Sequence, residues 1–451
     1  MAERELILAE LPPPVAAVLA VLAGAGHEAS LVGGCIRDRL LGLDVTDWDA
    51  ATSAHPDQVA ALFPGASWEN RFGTVTILGP PSVEVTSYRA EGAYRDRRRP
   101  DEVRFGVSLA EDLSRRDFTI NAMAWIPTEL ESGGGRLVDP FDGEGDLRQR
   151  LLRTVGDPRE RFREDALRLV RACRFAGRFE MRIETSTEAA VRELAPSVAT
   201  VSGERVRDEL VRMLTLDPRP SRALILLERL GLMAVLLPEL AALRGVPQAK
   251  RLPGDALDHT LRAVDAAPLD RDPALRLAAL LHDLGKATTL RGGHFIGHEK
   301  VGADLAADVL RRLRMPRVLA ARIVGAIRLH MYDYDASWTD AAVRRFIRRI
   351  HGVDSGLLFG LRRADNIASG VMEEGDRNQA ELEARIRQQL ASAPGLLVER
   401  RLAIDGHDLQ RELGLGPGPE LGAILEHLTE LVLEDPARNE PAILLELARQ
   451  R

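Results

Sequence analysis

Asp47 and Asp49 flank Trp48 a short way after the pair Gly33-Gly34. Alternation along a β-strand would put the two carboxylates on one face and Trp48 on the other. Two carboxylates pointing one way repel unless a cation sits between them. Hard oxygen ligands of this kind suit Mg²⁺ held together with a substrate's phosphates. Upstream, the apolar Leu31-Val32 run ends at the glycines, and residues 36–41 read as the start of a helix. Strand, glycine pair and helix N-terminus together form an anion-binding arrangement, with Arg37 and Asp38 just inside it. The stretch as a whole points to a nucleoside triphosphate, its metal ions, and phosphoryl or nucleotidyl transfer. A glycine pair alone would read as a tight turn and a lone Asp-x-Asp as a solvated loop; their coincidence carries the chemical reading.

Two further constellations could do chemistry. Residues 162–176 (FREDALRLVRACRFA) read as an amphipathic helix that buries Leu167, Val170 and Phe175. Asp165, Arg168, Arg171 and Arg174 recur every three residues along it as a slanting ridge. A carboxylate beside forked guanidinium donors matches the Watson–Crick edge of a base, CTP or ATP. A solvated face of i,i+3 ion pairs is the alternative. The other constellation is His259, His282-Asp283, His298, His330 and Asp365, spread over several predicted helices. LAALLHDLGKA reads as a buried helix carrying an adjacent His and Asp into a core, where a bound metal would satisfy them. A working divalent-metal phosphohydrolase and a helical body with weak or no activity both remain open for this set.

These residues need a scaffold, and the pattern supplies one. Residues 12–23 and 55–63 read as short helices, the second opened by Pro56. Residues 74–78 and 83–87 alternate and are joined by Gly-Pro-Pro-Ser, which predicts a β-hairpin beside the Asp-x-Asp strand. Glu84 on that hairpin is then either a third acidic group near the aspartates or a surface glutamate. Residues 89–103 are densely charged without periodicity and read as a solvated loop. Residues 108–125 open as a helix and continue apolar; Asp117 and Asn121 lie one helical turn apart with Arg116 adjoining. Residues 202–214 form a helix with Ser202 as N-cap, and 224–243 continue helical. A break follows near 245–254.

The chain has 451 residues, 45% hydrophobic and 29% charged, enough for two to four soluble domains. Aromatics at 4% with abundant Leu, Ala and Arg lean helical. No apolar run is long enough to span a bilayer, and the N-terminus lacks a signal-peptide layout. Only Cys35 and Cys173 are present, far apart, which fits a reducing cytoplasm and excludes a disulfide or cysteine–zinc framework. The net charge of −7 argues mildly against nucleic acid, but residues 148–178 carry ten Arg against four acidic groups. Clustered charge rather than the total makes a footprint for RNA.

GGCIRDRLLGLDVTDWDAAT resembles the first motif of the class II tRNA nucleotidyltransferase and bacterial poly(A) polymerase family. The resemblance continues through Glu91-x-x-Tyr94-x-Asp96-x-Arg98-Arg99-Pro100-x-x-Val103 and Arg115-Arg116-Asp117-x-x-x-Asn121. It extends to Asp139-Pro140-Phe141 with Gly143 and Asp146, and to Glu164-Asp165-x-x-Arg168. SGERVRDEL at 202–210 and the LAIDGHDL and LGLGPGPELGAIL segments of the tail are also family-like, while the histidine set looks like an HD-superfamily domain. The resemblance implies an α+β chain: a small mixed β-sheet nucleotidyltransferase head, DNA-polymerase-beta-like, then largely all-α parts. It places the head at 1–155, a helical neck at 156–248, an HD domain at 249–370 and a helical, tRNA-facing tail at 371–451. It implies CCA addition to the tRNA 3′ end from CTP and ATP by a two-metal mechanism, with Asp47 and Asp49 holding Mg²⁺. One ion lowers the pKa of the 3′-OH and the other supports the triphosphate and pyrophosphate. Gly34, Arg37 and Arg116 would hold phosphates, and Asp165, Arg168, Arg171 and Arg174 would select the base. His259, His282, Asp283, His298, His330 and Asp365 would hold a second divalent metal. A loop at 91–103 favours an enzyme able to add the terminal adenosine. The Phe72-Gly73-Thr74 run is that of CCA enzymes rather than poly(A) polymerases. An A-adding-only enzyme, a poly(A) polymerase and an HD phosphohydrolase as second or main activity are the alternatives. The intact Asp47/Asp49 pair speaks against an idle head.

Overall fold

The computed structural model describes residues 2–8, 11–69, 73–91, 103–130, 132–392 and 402–450. Most of the charged 91–103 pattern, including Tyr94, Asp96, Arg98, Arg99 and Pro100, and the stretch 70–72 lie outside these residues. The chain divides into two compact units, Met1–Ala241 and Ala242–Arg451.

Among the described residues the first unit has twelve strands: β1 Ala2–Ile7, β2 Ala29–Val32, β3 Trp48–Thr52, β4 Ser67–Glu69, β5 Thr74–Ile77, β6 Val83–Ser87, β7 Arg89–Glu91, β8 Val103–Phe105, β9 Ala124–Glu129, β10 Gly134–Asp139, β11 Leu151–Leu152 and β12 Arg182–Ile183. Eight of them form one mixed sheet in the order β1-β10-β9-β2-β3-β6-β5-β4. β2, buried at every position, lies between β3 and β9, antiparallel to both. β5 and β6 form the expected hairpin, and β6 runs parallel to β3 with Glu84 opposite Asp49. The edge strand β1 had no clear sequence signal: MAERELIL alternates weakly, and its pairing with β10 supplies the stabilisation that local pattern does not. β7 and β8 pair as a separate antiparallel ribbon at the two ends of the charged segment.

Helices follow the sheet. Asp139, the last residue of β10, accepts from the Gly143 and Glu144 N–H groups at 2.8 and 2.9 Å and so starts the Gly143–Arg148 helix. Leu167–Arg178 then packs between Gly203–Leu216 and Ser221–Arg229. Its contact with Ser221–Arg229 is backbone-close: a Cβ on Gly177 would lie 2.6 Å from the Ala223 nitrogen.

Three expected elements differ in detail. The strand carrying Asp49 begins at Trp48, so Asp47 sits in the preceding loop and is exposed. The 108–125 stretch is not one helix. Leu109–Ser114 stops, Asp117 accepts from the Phe118 N–H at 2.8 Å, and Thr119–Asn121 is a 3₁₀ turn. The Asp117 side chain competes with the helix for a backbone donor, while Phe118 is extended, buried and bridged to Thr154. The 162–176 helix is likewise broken: Pro158–Glu164 ends at Asp165, which is extended (φ −147°), and Leu167–Arg178 begins anew.

The second unit is all-helical among its described residues. Ala256–Ala266, Ala274–Leu281, His298–Arg312, Arg317–Leu329 and Ser355–Ser369 form its first bundle. Met372–Ser392, Gly406–Leu413, Pro419–Glu434 and Pro441–Arg449 follow. Arg344, on Asp340–Arg349, ties the later helices in by donating to the Leu433 and Glu434 carbonyls at 2.6 and 2.8 Å.

Gly177→Ala tests the neck packing. A methyl group cannot fit against the Ala223 backbone without separating two helices, so the urea midpoint should fall by the equivalent of about 1–3 kcal/mol. An unchanged or raised midpoint, as helix propensity alone predicts, would contradict the close approach.

Candidate active site and metal centre

A cavity of about 640 Å³ in the first unit is lined by Gly33, Gly34, Arg37, Asp47, Asp49, Glu84, Arg116, Asp117, Asn121, Asp165, Arg168, Arg171, Arg174 and Arg205, among others. Every head and neck residue expected to hold metal, phosphate or base therefore lines one space, of a size that suits a nucleotide. β3 brings Asp49, β6 brings Glu84, and the turn after β2 brings the glycines.

Gly33 rather than Gly34 makes that turn. Its φ is +75°, and a Cβ there would stand 2.6 Å from Arg116 Nη1, so a side chain would expel the arginine. Gly34 is the first residue of the Gly34–Leu40 helix. Arg37 on that helix is buried, donates to Asn121 Oδ1 at 2.6 Å and to Asp38 Oδ1 at 2.8 Å, and lies over the Phe179 ring at 4.6 Å. Arg116 donates to the Asn121 carbonyl and to Asp112 Oδ2, both at 3.3 Å, while its Nε is buried without a hydrogen bond.

Nearby arginines compensate the acidic wall only in part. Burial pushes the Asp49 carboxyl up to about 6, Arg116 pulls it down, and Glu84 and Asp47 push it up again. Among the described residues neither aspartate is ion-paired, so the donor set fits a divalent cation. Glu84 shares the wall, but the three carboxylates do not gather within 4.8 Å of one another as the histidine cluster described below does.

In the same cavity, the arginine ridge is pinned by carboxylates. Asp165 accepts both prongs of Arg205, at 3.0 and 2.6 Å. Arg168 pairs with Glu164 and donates to the Arg115 carbonyl at 3.2 Å. Arg171 Nε donates to Asp117 Oδ2 at 2.7 Å, and Arg174 Nε to the buried Glu209 Oε2 at 2.6 Å. Asn121 Nδ2 donates to Asp117 Oδ1 at 3.0 Å, so the 3₁₀ turn joins the pair that a helix was expected to join. Arg205 and Glu209 belong to the family-like 202–210 segment, where the sequence reading attached no role to them. They lie four apart on Gly203–Leu216, a spacing that puts both on the face toward the ridge.

The second unit gathers the histidines. His259 lies on Ala256–Ala266; His282 and Asp283 follow Ala274–Leu281; His298 opens His298–Arg312; His330 closes Arg317–Leu329; Asp365 lies on Ser355–Ser369. The Nδ1 atoms of His282, His298 and His330 each meet a main-chain carbonyl three residues back, at 2.8, 2.7 and 2.7 Å. A carbonyl only accepts, so each Nδ1 carries a proton and, in the neutral ring, Nε2 is the nitrogen left to bind a metal. Nε2 of His259, His282 and His298 is buried without a hydrogen bond. Burial holds the His330 imidazole down to about 3, with His282 adding to the effect. Neutral imidazoles oriented by carbonyls and accompanied by carboxylates suit a divalent metal. Lys286 donates to Asp283 Oδ2 and Gln248 Oε1, both at 2.6 Å.

Asp117 generates a pH prediction. Burial alone would raise its pKa, but Arg171 and Asn121 outweigh it and hold the carboxyl well below the usual carboxylate range. A folded pKa below the unfolded one gives stability that is present above about pH 4 and lost as pH falls further. Asp117→Asn should therefore lower stability at pH 7 by about 3 kcal/mol and flatten its decline below pH 4 in acid titrations of unfolding. An unaltered acid limb would contradict the pairing.

The profile described as "Poly A polymerase head domain" matches residues 29–153. "Probable RNA and SrmB- binding site of polymerase A" matches 180–243, and "HD domain" matches 256–387. The chain is 33% identical over 419 residues to a CCA-adding enzyme of Geobacillus sp. (strain WCH70), covering 92% of this chain and 91% of that one. It is 34% identical over 429 residues to an A-adding tRNA nucleotidyltransferase of Deinococcus radiodurans, covering 89% and 91%. Among solved structures it is similar to the Bacillus stearothermophilus CCA-adding enzyme in complex with CTP, with a TM-score of 0.70, 28% identity, and 98% and 99% of the two chains covered.

Proposed function

The chain belongs to the CCA-adding enzyme family, and on that premise we propose that it is a template-independent tRNA nucleotidyltransferase. It builds CCA, or its terminal A, on the tRNA 3′ end from CTP and ATP. The observation that carries this reading is the single cavity with an acidic wall at Asp47, Asp49 and Glu84 and a base-reading wall at Asp165 and Arg168. The head at 1–155, neck at 156–248, HD domain at 249–370 and tail at 371–451 divide the labour, and the enzyme works in the cytoplasm.

Asp47 and Asp49 hold Mg²⁺, with Glu84 as the third acidic group. When bound, the ions supply a lowered pKa at the tRNA 3′-OH and neutralisation of the triphosphate. The chain's own groups do the positioning. Gly34 offers its backbone, Arg37 and Arg116 hold phosphate oxygens, and the buried, unsatisfied Nε of Arg116 gains a partner there. Asp165 accepts from the exocyclic amino group that cytosine and adenine share, and Arg168 donates to the neighbouring ring nitrogen. Uracil and guanine present the reverse pattern. Arg205 holds Asp165 in place and leaves it lone pairs to accept more. Arg171 and Arg174 support the ridge from beneath.

The second unit favours a second activity. Its inward, unpartnered imidazoles point to a metal-dependent phosphohydrolase separate from the transferase.

Incorporation of labelled CTP or ATP with Mg²⁺ tests the transferase on tRNA lacking CCA, ending in C, and ending in CC. CCA on the shortest acceptor establishes the full activity, and adenosine on the CC-ending one alone makes this an A-adding enzyme. Asp47→Ala and Asp49→Ala should each lower the rate about 1000-fold, on the order of 4 kcal/mol. No incorporation on any acceptor, with Asp47→Ala behaving identically, would overturn the proposal.

A further inference from the structure

The helix Leu167–Arg178 carries one arginine beyond the ridge. Arg178, its last residue, is half-buried and lines the same cavity as the ridge. Arg37, Arg116, Arg168, Arg171, Arg174 and Arg205 each have a carboxylate partner. Among the described residues the Arg178 guanidinium has no hydrogen bond or ion pair; it lies over the Phe179 ring, 5.0 Å from its centroid. The Arg37 guanidinium lies 4.6 Å from the same centroid. The two cations therefore stand no more than about 10 Å apart, within one Debye length at 0.1 M salt. Phe175 packs parallel to the shared ring, with centroids 6.1 Å apart and 10° between the planes, and holds it in place. Burial lowers the Arg37 pKa, Asp38 raises it, and Arg178 lowers it again. A guanidinium at the C-terminal end of a helix is favoured by the helix dipole. That accounts for the charge of Arg178, but not for its place beside a second cation in a cavity wall.

We propose that Arg178 and Arg37 clamp the terminal phosphate of the incoming CTP or ATP beside the Phe179 ring. The proposal rests on the reading of this cavity as the nucleotidyltransferase site and gives Arg178 a role in it. Two like charges with one carboxylate between them call for an anion. Arg37 stands on the helix that opens at Gly34, the end of the cavity that suits phosphate oxygens. A terminal phosphate carries close to two negative charges and offers three oxygens, whereas a phosphodiester of the acceptor strand carries one charge, so the triphosphate matches the pair better. Cytidine and adenosine triphosphates share that phosphate, so the clamp serves both without reading the base. Pyrophosphate, which leaves with it, should bind in the same place.

The test is calorimetric titration of the full-length chain with CTP, CDP, CMP and pyrophosphate in Mg²⁺, for the unaltered protein, Arg178→Gln and Arg178→Lys. Arg178→Gln should weaken CTP and pyrophosphate about tenfold and leave CDP and CMP within about twofold. Arg178→Lys, which keeps the charge but loses the fork, should fall between the two. Affinity for tRNA ending in CC, read by fluorescence anisotropy, should stay unchanged, and thermal unfolding of each variant checks that it is folded. Equal weakening of CTP and CMP would overturn the proposal, as would unchanged binding of every ligand, which would leave Arg178 a helix-end charge. Weakened tRNA with intact CTP binding would overturn it by moving the phosphate to the acceptor strand. The readout needs no turnover. A chain that extends no acceptor yet loses triphosphate binding in Arg178→Gln keeps the clamp and removes the transferase reading; CCA addition by Arg178→Gln with unaltered KM for CTP and ATP does the reverse.

Discussion

A lattice of buried charge holds the arginine ridge of the first unit in place. Arg171 is shared by Asp117 and Glu209, at 2.7 and 3.4 Å, and Glu209 also takes Arg174. Arg174 and Glu209 are both almost wholly excluded from water. Neither charge would be tolerated there alone, because desolvation of a lone ion costs several kcal/mol. Burial depresses the Arg174 pKa to about 10, with Glu209 resisting, while Glu209 is held below the usual carboxylate range by the arginines despite its own burial. The lattice joins three stretches distant in sequence: the turn after Leu109–Ser114, the helix Leu167–Arg178 and the helix Gly203–Leu216. Arg37 enters from a fourth through Asn121, which also bonds Asp117. The parts that would meet a nucleotide's phosphates and its base are thereby fixed to one another.

Such a lattice divides the ridge by role. Asp165 and Arg168 are held by partners at or near the surface of the cavity, Arg205 and Glu164, and keep capacity for a ligand. Arg171 and Arg174 have spent their Nε donors on carboxylates beneath. Protein-held donors and acceptors, fixed before the nucleotide arrives, can substitute for a nucleic-acid template because little reorganisation remains at the moment of binding. The cluster in the second unit follows the same rule with a different solution. There the buried groups are mostly imidazoles, a donor set that suits a divalent metal rather than arginine.

Much of this was legible in the sequence, because the signals were local. Gly33-Gly34 and the 74–87 hairpin carry their own geometry, whereas the strand expected to hold both Asp47 and Asp49 begins only at Trp48. The histidine order was visible because the polar pair His282-Asp283 ends an otherwise apolar run, just past the Ala274–Leu281 helix rather than within it. What stayed hidden depends on contacts between distant segments. The break at Asp165 follows from its extended backbone and its Arg205 partner, while periodicity ran through it unbroken. The 3₁₀ turn at Thr119–Asn121 was hidden because Asp117 and Asn121 bond at a spacing that also suits an α-helix. Glu209 lies in the 202–210 segment that carries the resemblance, but only the arginines packed on it reveal that it is buried.

Selectivity in Glu209→Gln tests this account most directly. The substitution keeps the size and one acceptor but removes the charge that Arg171 and Arg174 share. Steady-state kcat/KM for CTP and ATP against UTP and GTP would be measured with the unaltered and altered enzymes. The account predicts that discrimination falls at least tenfold, equivalent to about 1.4 kcal/mol, while the protein stays folded and the metal-dependent step persists. Unchanged discrimination with a folded protein would show that the base-reading wall does not depend on the buried lattice.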